Sequence, residues 1–266
     1  MRFALAFALA LGLGVMSGAA QRPTILTNGR NLQIPINHGL PDRPVGFTFC
    51  RLRYQNIRRA RKSGWGDDYP QADYNFMVRL SELTRTTISS WNNGDPGFAN
   101  VTATDPNLFR CPYLRMQNAA NYDFTPEETV RMHDYLVKGG FLWIDDNWDP
   151  DFEYIRPNLM RILPGATITD LPVDHPMFSI LYRVDPLPQI PSLGSWQRMH
   201  QDSEIGPSTV HYYAVFDDDR LLVLVSMNSD VSDSWEREGD NRDYFETFAG
   251  KGYALGVDVA VWVMSH

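Results

Sequence analysis

Apolar residues in this chain fall into short runs punctuated by Pro, Gly, Asp and Asn, and the period changes from run to run. Residues 45–54 (VGFTFCRLRY) are β-branched and aromatic, which suits a pleated, buried strand, and Arg51 and Arg53 stand at its carboxyl end. Over residues 70–84, Ala72, Phe76, Leu80 and Leu83 recur at helical spacing. Asp67, Asp68 and Asp73 lie near the start of that helix, where its dipole favours negative charge. Residues 86–91 and 108–116 are predicted strands. Thr125-Pro126-Glu127-Glu128 carries an N-cap, a proline at the first helical position and a capping box. The helix it opens is predicted to reach Lys138 and stop at Gly139-Gly140. Phe141-Leu142-Trp143-Ile144 then forms a buried strand that runs into Asp145-Asp146-Asn147-Trp148.

Further on, a helix is predicted over 152–163, interrupted by Pro157, and a strand over 167–171. Residues 172–207 hold many prolines without a clear period and read as an irregular insertion. Residues 210–216 and 221–227 flank Asp217-Asp218-Asp219-Arg220, the pattern of a hairpin with an acidic turn. Helical stretches are expected over 242–249 and 255–264. Helix, double glycine, apolar strand and acidic loop together are the grammar of a parallel α/β sheet, and residues 45–266 are expected to form one such domain.

The amino terminus departs from this pattern. Met1-Arg2, the apolar run 3–16 and the small residues Ser17-Gly18-Ala19-Ala20 have the layout of a signal peptide cut after Ala20. The run is shorter than a membrane-spanning helix requires. The expectation is an exported protein, periplasmic or extracellular, with an arm over 21–44 and no transmembrane segment in the mature chain. The net charge is −8, and loss of Arg2 with the leader makes the remainder more negative. An acidic domain repels phosphate backbones, so nucleic acid is not an expected partner. The basic run 58–62 reads as a solvated face. Cys50 and Cys111 are the two cysteines. Both fall in strand-like core segments, and they are expected as buried free thiols.

Open parallel sheets bind ligands at the carboxyl ends of their strands. The polar groups predicted there are Arg51 and Arg53, the loop carboxylates Asp67 and Asp68, then Asp145 and Asp146, and finally Asn228, Asp230 and Glu236. Trp65, Trp148 and Trp235 would wall such a pocket, which would suit a sugar or another small polar molecule. Each also has a plain structural reading: Asp145-Asp146 as a cap paired with an arginine, Asp67-Asp68 as a helix start. His175, beside Asp174, is the candidate general base, with a structural turn as its alternative. His133 is placed on the buried face of the capped helix with Val130 and Val137. The chain has no HExxH, no nucleophile elbow of the GxSxG or GxCxG kind, no GxGxxG and no P-loop. No cofactor is implied, and no ligand pair stands at metal spacing.

The strings FTFCRLRY, WGDDYPQADYNF, TPEETVRMHDYLVKGGFLWIDDNW, LPVDHPMFSILY, SMNSDVSDSWE and KGYALGVDVAVWVMSH resemble the domain-of-unknown-function family 4159 over residues 45–266. The resemblance implies a doubly wound, mostly parallel α/β fold, flavodoxin-like or class I glutamine-amidotransferase-like, and no established activity. Glutaminases of that fold use a cysteine on an elbow; after GGFLWI this sequence has Asp145-Asp146 instead.

Three functions remain open on these residues. The first is a non-enzymatic binding or scaffold domain of the cell envelope, taking a small polar ligand or an envelope protein. The second is a hydrolase acting on a carbohydrate or other polar small molecule. It would use Asp145 or Asp146 as acid/base and Arg51 or Arg53 to hold the substrate, and it requires those side chains to meet in one cleft. The third is a divalent-cation site built from Asp145, Asp146, Asn228 and Asp230, all hard oxygen ligands.

Overall fold

The computed structural model describes residues 25–27, 33–35, 39–41, 43, 45–55 and 64–266. The leader and the basic run 58–62 lie outside the described residues. Strands β1 (Ile25–Thr27) and β2 (Gln33–Pro35) pair antiparallel, apart from the main sheet. The main sheet holds β3 (Phe49–Leu52), β4 (Phe98–Val101), β5 (Tyr113–Gln117), β6 (Phe141–Asn147), β7 (Thr169–Asp170), β8 (His211–Asp217) and β9 (Arg220–Met227). Its order is β4-β3-β5-β6-β9-β8-β7. The pairs from β4 across to β9 are parallel, whereas β9–β8 and β8–β7 are antiparallel. The result is a mixed seven-stranded sheet of the α/β class.

Alternation along the strands divides the core into two layers. Phe49, Tyr113, Phe141 and Trp143 point to one face and pack with α1 (Gln71–Leu83) and the carboxyl-terminal helices. Cys50, Leu114, Leu142 and Ile144 point to the other, against α2 (Pro126–Val137) and α3 (Phe152–Ile162). Helix α1 buries Ala72, Phe76 and Leu80 as the spacing predicts, but Leu83 is exposed at its end. The capping box of α2 forms in both directions, Thr125 Oγ1 accepting from the Glu128 amide and Glu128 Oε2 from the Thr125 amide. Gly139, at φ 111°, supplies the left-handed residue that ends the helix.

Several expectations need correction. Residues 86–91 make isolated bridges to Phe47, Arg43 and Pro96 rather than a strand, and the sheet edge is β4 instead. The predicted strand 108–116 divides into a 3-10 turn, Leu108–Arg110, followed by β5. The strand expected over 167–171 shrinks to β7, both of whose residues are exposed. Met132, Tyr135 and Leu136, not Val130 and Val137, form the buried face of α2; His133 is half-buried and bonds the Ile162 carbonyl through Nδ1 at 2.8 Å. The insertion carries a 3-10 turn, Pro176–Ser179, and helix α4 (Leu193–Met199). Pro157 sits inside α3 without ending it. Past α5 (Asp233–Glu236), helix α6 (Arg242–Tyr244) continues through a π turn into α7 (Gly250–Ser265), so the two expected terminal helices are one stretch.

The two cysteines are not free thiols. Cys50 and Cys111 form a disulfide with a Cα–Cα separation of 5.7 Å. Cys111 belongs to the turn that leads into β5, not to the strand, and this brings it against Cys50 on the neighbouring β3 in the same core layer.

Candidate functional site

Strand order dictates where a ligand would sit. After β3 the chain crosses to β4 on one side, then returns to β5 on the other, so the winding reverses between β3 and β5. Loops leaving that point diverge and open a crevice at the strands' carboxyl ends. A cleft of about 710 Å³ lies between these loops. Its walls come from Asp67 and Asp68 after β3, Asn118 after β5, Asp146 and Trp148 around the end of β6, and Asp230, Asp233 and Glu236 after β9. The irregular insertion closes one side with Ser192, Ser195, Arg198 and Glu204.

Local backbone geometry aims these groups. Between Ile144 and Asn147, β6 holds one residue more than the facing segment of β9, from Val225 to Met227. Asp146 lies in this bulge with φ 55°, and such a bulge turns a side chain out of the regular alternation. Asp68 (φ 59°) and Asn118 (φ 49°) are also left-handed. Three non-glycine residues in a sparsely populated region thus line one cleft, a distribution typical of sites where the surroundings hold strain. Asn118 Nδ2 joins two walls, donating to Asp67 Oδ2 at 2.6 Å and to Asp146 Oδ2 at 2.8 Å. Trp148 Nε1 donates to the other oxygen of Asp146 at 3.1 Å.

Beneath the cleft is a buried polar floor. Arg115 and Asp145, both without exposed side-chain surface, form an ion pair, and the guanidinium lies between Trp143 and Trp235 at 4.4 and 4.5 Å from their ring centres. Asp145 Oδ2 also accepts from the Ser232 amide at 3.1 Å. Gln117 Nε2 donates to Asp68 Oδ2 and to Ser232 Oγ, each at 2.7 Å. Ser232 Oγ lies 2.8 Å from Asp68 Oδ2 and 3.2 Å from Asp145 Oδ2, so its one proton serves either.

Eight carboxylates and two guanidinium groups, Arg198 and Arg237, face the cleft. Burial first, and with it the charge of neighbouring acids, raises the proton affinity of five of these carboxylates, Asp68, Asp146, Asp230, Asp233 and Glu236. Asp68 is pushed up to about 6 by burial, which Arg51 opposes. Asp233 is pushed up to about 7 and Glu236 to about 8, each by burial and then by Asp68. Asp146 and Asp230 lie well above the carboxylate range for the same reasons, with Asp68 first among the neighbours of one and Asp146 among those of the other. Asp68, Asp233 and Glu236 each present a carboxylate oxygen, and the three oxygens lie within 4.8 Å of one another.

Six of the residues singled out from sequence line this cleft: Asp67, Asp68, Asp146, Trp148, Asp230 and Glu236. The others do not. Arg51 has no exposed surface and is bound to Asp73 and to the carbonyls of Trp65 and Asp67. Arg53 donates to Asn100 Oδ1 at 3.2 Å. Asp145 is in the floor, and Trp235 is fully buried in the core beside Phe76. Trp65 packs against the second core layer. Asn228 ties Asp149 to the Thr209 carbonyl. His175 caps the turn at Pro176–Ser179, packs against Phe178, Phe216 and Trp262, and has its proton affinity lowered by burial. The arginine-plus-Asp145/Asp146 arrangement required of the hydrolase therefore does not assemble, and the four-residue cation set loses Asp145 and Asn228. Sequence reasoning missed Asn118, Asp233 and Arg237. Asp233 and Arg237 were within reach, because they lie in the same segment after β9 as Asp230 and Glu236. Arg198 and Glu204 come from the insertion, where no periodic pattern pointed to them.

Residues 48–264 match the family described as a domain of unknown function, DUF4159. No curated protein matches the chain.

Proposed function

The chain belongs to the DUF4159 family, whose description assigns no activity, and from the cleft itself we propose that it is an exported binding domain of the cell envelope for a small, hydroxyl-rich or cationic molecule. The carrying observation is the convergence of eight carboxylates in one cleft over the point where the sheet's winding reverses. Acceptor oxygens outnumber donors there, so a ligand supplying O–H or N–H groups gains hydrogen bonds that the protein does not make for itself. The leader-like start and the disulfide support export, since disulfides persist in oxidising compartments. The reversal between β3 and β5 supports kinship with flavodoxin-like and amidotransferase-like folds. Glutaminase chemistry is not part of the reading, because both cysteines are bonded to each other and offer no thiolate. Among the described residues, no helix is long and apolar enough to cross a membrane.

The test is a thermal-shift screen with sugars, amino sugars, polyamines and amino acids, followed by calorimetry. A ligand that binds the native state alone raises Tm by mass action. A hit lost in Asp146→Ala supports the reading; a screen without hits in wild type, with or without divalent ions, removes it.

A second reading, a hydrolase on a carbohydrate or similar polar molecule, draws on Glu236. Burial and Asp68 raise its pKa to about 8, so it holds a proton at neutral pH beside other carboxylates, as a general acid does. It requires turnover of a glycoside that is abolished in Glu236→Gln, and binding without turnover rejects it.

A further inference from the structure

We propose that Asp68, Asp233 and Glu236 seat a divalent cation, Ca2+, through which the cleft holds its polar ligand; this rests on the binding reading above and names how so acidic a site is used. Asp68 stands in the loop after β3, and Asp233 and Glu236 begin and end α5 after β9, far along the chain, yet the three oxygens lie within 4.8 Å of one another. That is about twice the 2.3–2.6 Å of a calcium–oxygen bond, the largest separation at which two ligands share one ion. All three donors are hard oxygens, with no imidazole or thiolate among them, which selects calcium-like ions over zinc.

Each carboxylate has one oxygen held by donors of the fold. Asp68 Oδ2 takes Gln117 and Ser232. Asp233 Oδ2 takes the Leu193 amide at 2.8 Å and Tyr244 Oη at 2.9 Å, while Oδ1 lies 3.9 Å from Arg237 Nε. Glu236 Oε2 takes Arg237 Nε at 2.7 Å. This is the arrangement of a ligand set oriented by outer partners.

A separate shortage of donors points the same way. Asp230 lines the cleft at 4% exposure; its Oδ1 accepts the Asp233 amide at 3.1 Å, and its Oδ2 meets no donor among the described residues. Gln117 is fully buried with its amide against Asp68, and its Oε1 has no donor either. Gln117 Oε1 is a buried acceptor, and buried acceptors are normally satisfied. A cation with its bound water supplies here what no donor among the described residues does. Arg237 offsets only part of the charge, since it is shared among Asp233, Glu236 and Asp240.

The test is calorimetry and thermal melting of the chelator-treated full chain with CaCl2 alone, up to about 10 mM, above the range of weak extracellular calcium sites. Wild type is expected to bind and to gain several degrees in Tm. Asp68→Asn and Glu236→Gln are expected to bind at least tenfold more weakly, while melting no lower than wild type in chelator, which shows that they fold. Asp218→Asn, in the hairpin turn, is expected to bind as wild type does. No calcium binding in wild type, or unchanged affinity in both variants, overturns the proposal. The ligand screen in chelator separates the two ideas. Polar ligands that bind equally with and without calcium sink the cation and leave the binding domain. Calcium binding with no ligand hit leaves the cation and sinks the binding domain. Calcium held by Glu236 also excludes that residue as a proton donor.

Discussion

Arg51 holds the backbone of Asp67. Its Nη1 donates to the Asp67 carbonyl and, at 3.2 Å, to that of Trp65, while Nε and Nη2 fork onto the carboxylate of Asp73 in α1. One fully buried guanidinium therefore links β3, the loop that presents Asp67 and Asp68, and the first helix. Arg51→Ala leaves a buried, uncompensated carboxylate, which costs about 3–5 kcal/mol, and Tm is expected to fall on the order of 10 °C. Arg51→Lys keeps the charge without the planar fork and should recover only part of that loss. The double variant Arg51→Ala/Asp73→Ala is expected to lose less than the two single losses together, measured as a double-mutant cycle in denaturant. Additive losses would reject the coupling.

The disulfide makes a second, independent contribution. Cys50 and Cys111 are 61 residues apart in sequence, and a crosslink closing a loop of that size restricts the unfolded chain by about 4 kcal/mol in the chain-entropy account. Cys50→Ala/Cys111→Ala is expected to melt on the order of 10 °C lower than wild type. A reducing agent should lower wild type toward the variant and leave the variant unchanged. Thiol titration of the unfolded, unreduced chain should find no free cysteine.

Acidity should stabilise the chelator-treated protein. The folded pKa values of Glu236, Asp233 and Asp68, about 8, 7 and 6, lie above the ordinary carboxylate range near 4. Folding therefore takes up protons at neutral pH, and the folded state is penalised wherever these groups are ionised. As pH falls through about 8, 7 and 6 the penalty lifts in turn, so Tm is expected to rise between pH ~8.5 and ~5. This is opposite in sign to an acid held low by a cation. Saturating calcium, which takes the ionised carboxylates as ligands, should flatten the slope. A Tm that falls on acidification across this window would reject the clustering of acids.

Local chemistry was legible wherever a sequence signal and a packing demand coincide. The capping box of α2, Gly139, the β8–β9 hairpin with its acidic turn, and the strand at 141–144 all follow from residue type and period. Pairing across distance was not legible. Residues 86–91 have strand composition but find only single bridges, because β4 takes the edge position. The disulfide depends on β3 and β5 being neighbours, which no local pattern encodes. At the site, proximity to a strand end identified Asp146 and Asp230 but also Asp145 and Asn228, which face inward. Only the bulge at Asp146 separates the outward carboxylate from its buried neighbour, and a bulge leaves no mark in sequence period.

Asp230 shows what the cleft costs the fold. It is 4% exposed, burial raises its pKa well above the carboxylate range, Asp146 and Asp68 add to that shift, and one of its oxygens meets no donor among the described residues. Asp230→Asn keeps the oxygen that accepts the Asp233 amide and replaces the other with an N–H donor facing neighbouring acids. At pH 7.5 the variant is expected to be more stable than wild type by about 0.5–2 kcal/mol, a few degrees in Tm. The sign follows from the raised pKa: an ionised Asp230 is penalised only in the folded state, and the neutral amide is not. The gain should therefore vanish below pH ~4, where Asp230 is protonated in folded and unfolded chains alike. The same variant is expected to weaken polar-ligand binding, because it removes an acceptor from the cleft wall. Greater stability together with lost binding would mark Asp230 as a residue kept for its ligand. A stability loss at pH 7.5 would mean that its carboxylate serves the fold.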